Sequence, residues 1–266
     1  MILPIRGVAR LVALAAALST SLLAPRAALA QLTTAQAIEQ LSAGSEAEVR
    51  EAIEAIGLSG SSAAVEPLAA RIRRGLTPDL LGMAVDTLTV LGHPEAGPVL
   101  VELLSHRRAD IRTRAVQALA VCNPPGVATA LTAALSDTSS EVRAAAAIAL
   151  GERGGASALD ALFRAFERQV AEAGMAIARI GGADAVPRVL GYLGREPFST
   201  LRPMLLVMLE RADLPSRARL DIVARIGELA TADARGLLEE VVSNGSLPST
   251  DPVHRAANET AARIAE

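Results

Sequence analysis

An aliphatic residue followed by arginine returns at Val49-Arg50, Ile111-Arg112 and Val142-Arg143. The arginines stand 62 and 31 residues apart, two periods and one. A period of this length constrains a chain strongly, because each copy must be one supersecondary unit stacked on the next. The clearest copy is SDTSSEVRAAAAIALGERGGASALDALFRAF, from Ser136 to Phe166. Ser136 or Asp137 is placed to cap a helix, and Glu141 falls in its first turn, where negative charge is favoured. Val142, Ala145, Ala146, Ala149 and Leu150 share one helical face. Gly151 and the pair Gly154-Gly155 read as a C-cap and a tight turn. Leu159, Leu162, Phe163 and Phe166 then form the apolar face of a second helix. The unit is a helical hairpin of about thirty residues.

Further copies begin at Glu46, Arg108, Gln169 and Arg217, with a weaker one at Leu80. A helix-ending Leu-Gly or Ile-Gly recurs at Gly57, Gly92, Gly151, Gly181 and Gly227. Residues 195–216 are degenerate and read as an irregular helix or half-repeat. Residues 250–266 read as a capping helix, with Asp251 at the N-cap and Pro252 at the first helical position. The fold expected is all-α, an α-solenoid of antiparallel helical hairpins with about six to seven pairs across 31–266. Composition agrees: 51 % of residues are hydrophobic but only 2 % aromatic. An interior of Ala, Leu, Val and Ile suits thin, closely stacked layers. Helices of ten to fourteen residues are marginal alone, so each must be held by its neighbours.

The segment SDTSSEVRAAAAIALGERGGASALDAL resembles HEAT repeats, in particular the short bacterial type named after phycobilisome bilin lyases. The resemblance extends over 33–250. It implies that the arginine of each aliphatic-Arg pair is structural and bonds a loop aspartate of an adjacent layer, such as Asp110 or Asp137. It also implies that the second helix of each hairpin lines a concave side. The family includes enzymes, adaptors and scaffolds, so it does not fix a function.

Residues 1–30 have the layout of a secretory leader: Arg6 and Arg10, an apolar run from Leu11 to Leu23, Pro25, then Ala28 and Ala30 as small residues before a cleavage site. Gln31 is the expected new N-terminus. Export to the periplasm or cell exterior follows, with membrane contact only in transit. A retained leader acting as a membrane tether is the alternative. The remainder carries 23 arginines against 29 acids, a net −6. Lysine is absent, which we read as compositional bias. A net acidic body with few aromatics is a poor match for nucleic acid.

No residue constellation points to catalysis, a cofactor or a metal. The histidines His93, His106 and His254 lie in no metal-ligand spacing, and no His-Glu pair of the kind used by helical-repeat hydroxylases is present. Cys122 follows an apolar run and reads as a small buried hydrophobe. What remains is surface. Outward polar residues of the second helices would include Arg71, Arg74, Arg107, Arg108, Arg164 and Arg168. These form either a local basic strip facing an acidic protein or anionic glycan, or a solvated helix face. The reading is a monomeric, non-catalytic scaffold that binds a protein partner. The alternative is a bilin-lyase-like accessory subunit or enzyme, which a pocket around His93 or His106 would favour.

Overall fold

Helices begin where short polar side chains can cap them. Thr33 and Ser45 each accept a backbone N–H three residues on, while Gln36 and Glu48 bond back to the cap N–H, closing two capping boxes. The structure, a computed structural model, describes residues 32–265, so the leader read at 1–30 lies outside the described residues. Fifteen α-helices are described: α1 Thr34–Ala43, α2 Glu46–Ser59, α3 Val65–Arg74, α4 Pro78–Leu91, α5 Gly97–Leu103, α6 Ala109–Cys122, α7 Val127–Ala134, α8 Ser140–Arg153, α9 Leu159–Glu167, α10 Ala171–Ile180, α11 Val186–Leu190, α12 Phe198–Glu210, α13 Ser216–Gly227, α14 Ala232–Ser243 and α15 Pro252–Ala265. Helices α2, α4, α6, α8 and α10 start at residues 46, 78, 109, 140 and 171, so the period is 31 or 32.

The even-numbered helices pack on one another in order, from α2 to α14, and form one row. The odd-numbered helices form the second. In that row α1, α3 and α5 touch in sequence, as do α11, α13 and α15. Between them the short α5, α7 and α9 lean chiefly on α6, α8 and α10 of the even row. The array is an all-α solenoid, as the repeat period requires.

Alanine makes the even row tight. Ala52, Ala84, Ala115 and Ala146 occupy the seventh position of α2, α4, α6 and α8, and each is fully buried. A larger side chain there would push the rows apart. Leu150, Leu159, Leu162, Phe163 and Phe166 are buried as their spacing predicts.

Three local readings are corrected. The N-cap of α8 is Ser139 rather than Ser136 or Asp137; the Asp137 carboxylate instead accepts the Ser139 N–H at 2.8 Å. Gly57 and Gly151 lie inside α2 and α8 instead of ending them, and Gly227 is the last helical residue of α13. At Gly151 the reason is proximity: a Cβ there would stand 3.0 Å from Ala176 Cα on α10. Left-handed residues directly follow α2, α4 and α6, at Gly60, Gly92 and Asn123, so Gly92 ends its helix as read.

The third correction concerns phase. The copy beginning at Arg217 has the first-helix pattern, yet α13 lies in the odd row, packed on α15. Residues 198–210, within the degenerate stretch, form α12, which takes the even-row place against α10. Pro203 inside α12 removes one rung of its hydrogen-bond ladder. Just before this point in the chain Phe163, Phe166 and Tyr192 cluster, with the Phe163 and Phe166 rings 6.3 and 5.1 Å from Tyr192. The Arg188 guanidinium lies 3.8 Å over the Phe163 ring.

Candidate docking groove

Two of the three repeated arginines are structural, Arg112 and Arg143; Arg50 on α2 is exposed and forms no ion pair among the described residues, so the role the resemblance implied does not extend to it. Arg112 donates Nε and Nη2 to the two Asp137 carboxylate oxygens at 2.8 and 2.7 Å. Its Nη1 donates to the His106 carbonyl at 2.9 Å. Arg112 and Asp137 are both only 12 % exposed, so the pair is shielded from competing water. The guanidinium holds the Asp137 carboxyl below the usual carboxylate range. Arg143, one period on, donates to the Asp137 and Thr138 carbonyls at 2.8 and 3.1 Å. Arg219 occupies the same fourth helical position in α13, is buried, and reaches Asp251 at 3.5 Å. Each such arginine ties the start of one helix to a neighbouring turn. The Arg112–Asp137 bond is the one the resemblance implied. Asp110 pairs instead with Arg108, at 2.9 and 3.0 Å.

The six arginines of the candidate basic strip do not share one helix face. Arg71 and Arg74 lie on α3; Arg71 donates to the Gly75 carbonyl, and Arg74 to the Leu41 and Ser42 carbonyls at the end of α1. Arg107 and Arg108 are not on a second helix at all. Helix α5 stops at Leu103, and both fall in the turn before α6, where Arg108 is the N-cap residue. Arg164 is on α9 and Arg168 is its C-cap. Among the described residues Arg107, Arg164 and Arg168 are exposed and form no ion pair. The intervening repeat has no arginine at the matching turn; it has Asp137, already taken by Arg112.

The odd row instead opens a groove where α5 and α7 are short. Its volume is about 800 Å³, and it is open to solvent. Glu66 at the start of α3 forms one side. Pro94, Glu95, Gly97, Pro98 and Val101 form the middle, and Pro124, Pro125, Gly126 and Val127 the far side. The lining is mainly apolar, and Val101 is 44 % exposed there. Gly97 allows the two walls to approach, since a Cβ on it would stand 2.5 Å from Pro124 Cβ. This site escaped sequence reasoning because its walls come from three repeats. The signal available was a run of prolines at the same stage of successive hairpins, at 94, 98, 124 and 125.

A second apolar feature lies on the even row. Leu58, Val90 and Val121 are exposed and occupy the thirteenth position of α2, α4 and α6. Their spacing of 32 and 31 residues was visible in the sequence, but they lie off the core face and the repeat reading passed over them.

The histidines serve turns. His93 Nδ1 accepts the Glu95 N–H at 3.4 Å, and His106 Nδ1 accepts the Arg108 N–H at 3.2 Å. His93 adjoins the groove in sequence without lining it. Cys122 is buried beside the Leu88 carbonyl, and burial pushes its thiol up. Among the described residues no group of three or more His, Cys, Asp or Glu side chains is placed to hold a metal ion. No described helix is long and apolar enough to cross a membrane.

Three solved structures illustrate what the chain is similar to. The complex of CpcE and CpcF of phycocyanin lyase from Nostoc sp. is 20 % identical, with 90 % of this chain and 97 % of that one covered and a TM-score of 0.49. An engineered protein is 19 % identical over 87 % of this chain and 78 % of its own, at a TM-score of 0.47. Human deoxyhypusine hydroxylase in complex with glycerol is 17 % identical over 87 % and 94 %, at 0.40. No protein of curated function matches the chain. The HEAT repeats profile matches residues 34–120 and again 98–173. Together these matches span more than half of the 266 residues, and the chain belongs to the HEAT-repeat family.

Proposed function

We propose that this protein is an exported, non-catalytic scaffold that acts as a single copy and holds a protein partner in the groove beside α5 and α7. The observation that carries the reading is the groove itself: an open apolar trough at the stage of the array where the odd-row helices α5 and α7 are short. Clefts that bind are concave and mostly apolar, with few polar groups fixing orientation. The polar groups here are two carboxylates, Glu66 and Glu95. The turn-capping roles of His93 and His106 give both histidines an account without chemistry. Export rests on the leader-like pattern of residues 1–30.

The test is capture from an envelope extract on immobilised protein, comparing wild type with Val101→Trp, which fills the groove, and Val90→Trp, which alters the even row. The proposal expects a set of proteins kept by wild type and Val90→Trp and lost by Val101→Trp. Identical retention by all three would remove the groove from the account. Sequencing the N-terminus of the exported protein tests processing, with Gln31 expected first.

A further inference from the structure

The groove has one sign of charge, and its apolar walls offer few donors. Four of its ten lining residues are proline, which has no backbone N–H. Three of the remaining N–H groups are spent, with Gly97 donating to the Pro94 carbonyl, Val127 to the Pro124 carbonyl and Glu95 to His93 Nδ1, while the Gly126 N–H has no acceptor among the described residues. The only charged lining residues are Glu66 and Glu95, with side chains 71 % and 67 % exposed. Two side chains stand close by. Arg73 lies 3.6 Å from Glu66, but its Nε is shared between both Glu102 oxygens at 3.1 and 3.2 Å. His93 lies 3.6 Å from Glu95 and spends its Nδ1 on the Glu95 N–H. Both carboxylates thus keep oxygens turned to solvent at the rim of an apolar trough.

From this arrangement, and resting on the docking reading above, we infer that the occupant is an extended, aliphatic protein segment that also carries arginine or lysine. An acidic segment would meet two carboxylates and almost no donor. A basic one would meet two acceptors, Glu66 at the α3 side and Glu95 just before α5. The length follows from the helix rows. The groove runs from α3 past α5 to α7, two helix-to-helix steps of ~8–10 Å each, or ~20 Å. An extended chain at ~3.3 Å per residue covers that distance with about six residues. A small cation would answer one carboxylate and leave the trough wet; a peptide of this length answers both carboxylates and covers the apolar wall out to α7.

The experiment is fluorescence anisotropy on the intact protein with three labelled hexapeptides. Each has Val-Leu-Val-Leu at its centre, with Arg, Gln or Glu at both ends. The inference expects the Arg-ended peptide to bind at least tenfold more tightly than the Glu-ended one at low salt. That ratio should shrink as added salt screens the exposed charges. The double variant Glu66→Gln, Glu95→Gln should weaken the Arg-ended peptide about three- to tenfold, leave the Gln-ended one unchanged, and melt as wild type does, since exposed ion pairs contribute little to stability. Equal binding of Arg- and Glu-ended peptides, or no effect of the double variant, would overturn the charge assignment while leaving the groove as a docking site. Failure of all three peptides to bind, or binding untouched by Val101→Trp, would overturn the docking site itself.

Discussion

Gly57 and Gly151 hold the same position, the twelfth residue, in two 14-residue helices, α2 and α8. Intrinsic propensity therefore treats them alike: replacing a helical glycine by alanine gains ~0.5–1 kcal/mol. Their surroundings differ. A Cβ at Gly57 would meet Thr87 Oγ1 and Cγ2 at 3.6 and 3.7 Å, ordinary contact. A Cβ at Gly151 would meet Ala176 Cα at 3.0 Å and Cβ at 3.2 Å, inside the ~3.5–4.0 Å optimum for carbon pairs. The obstacle is partly backbone, so α8 and α10 must separate, and overpacking of this kind costs ~1–3 kcal/mol. Gly57→Ala should stabilise by the full propensity gain, whereas at Gly151→Ala the clash cancels or exceeds it. The two variants should differ by ~1–3 kcal/mol, which for an array of this size is ~2–12 °C in Tm. Thermal and urea melts followed by circular dichroism at the helix band measure both. Equal shifts in the two variants would refute the claim that the even row is closest at Gly151.

Ala146→Phe puts a ring where four successive helices have alanine and should destabilise by ~1–3 kcal/mol; Leu150→Ala, at a fully buried site, should cost ~2–5 kcal/mol. Urea midpoints check both. Asp137→Asn should lower Tm at neutral pH, and the gap to wild type should close in acid. Asp137 titrates lower folded than unfolded, so its contribution is complete above the unfolded value of about 4 and is lost as pH falls through the depressed folded value. A pH series of melts reads this directly. Cys122 should resist a thiol reagent in the folded protein and give one equivalent only in denaturant, because the thiol is buried and its ionisation is disfavoured.

The repeat itself was legible because its causes are local. Val49, Ile111 and Val142 recur at the period and are all buried, and the spacing of Leu159, Leu162, Phe163 and Phe166 named the inner face of α9 correctly. Asp137 was named as a partner through resemblance, and the geometry bears it out. Gly57 was misread because α2 runs on to Ser59 before its left-handed Gly60, and Gly151 because a glycine that ends a helix and one that admits a neighbour look the same in one dimension. Only the 3.0 Å approach of Ala176 distinguishes them. The odd-row place of α13 was hidden because it depends on α12 filling the even row first. Arg107 and Arg108 were placed on a helix that ends at Leu103. The groove was illegible for a related reason: Glu66, Val101 and Val127 meet only once three hairpins are stacked.

With its few rings gathered around Tyr192, this molecule gives almost no near-ultraviolet signal from anywhere else. It has no tryptophan, and its sole phenol is buried between Phe163 and Phe166, donating to Glu167 at 2.9 Å. Emission from that one chromophore reports on the joint between α9 and α11 alone, while dichroism averages the entire stack. A solenoid that frays from its ends would lose dichroism first and tyrosine signal later. One that parts at its phase change would reverse that order.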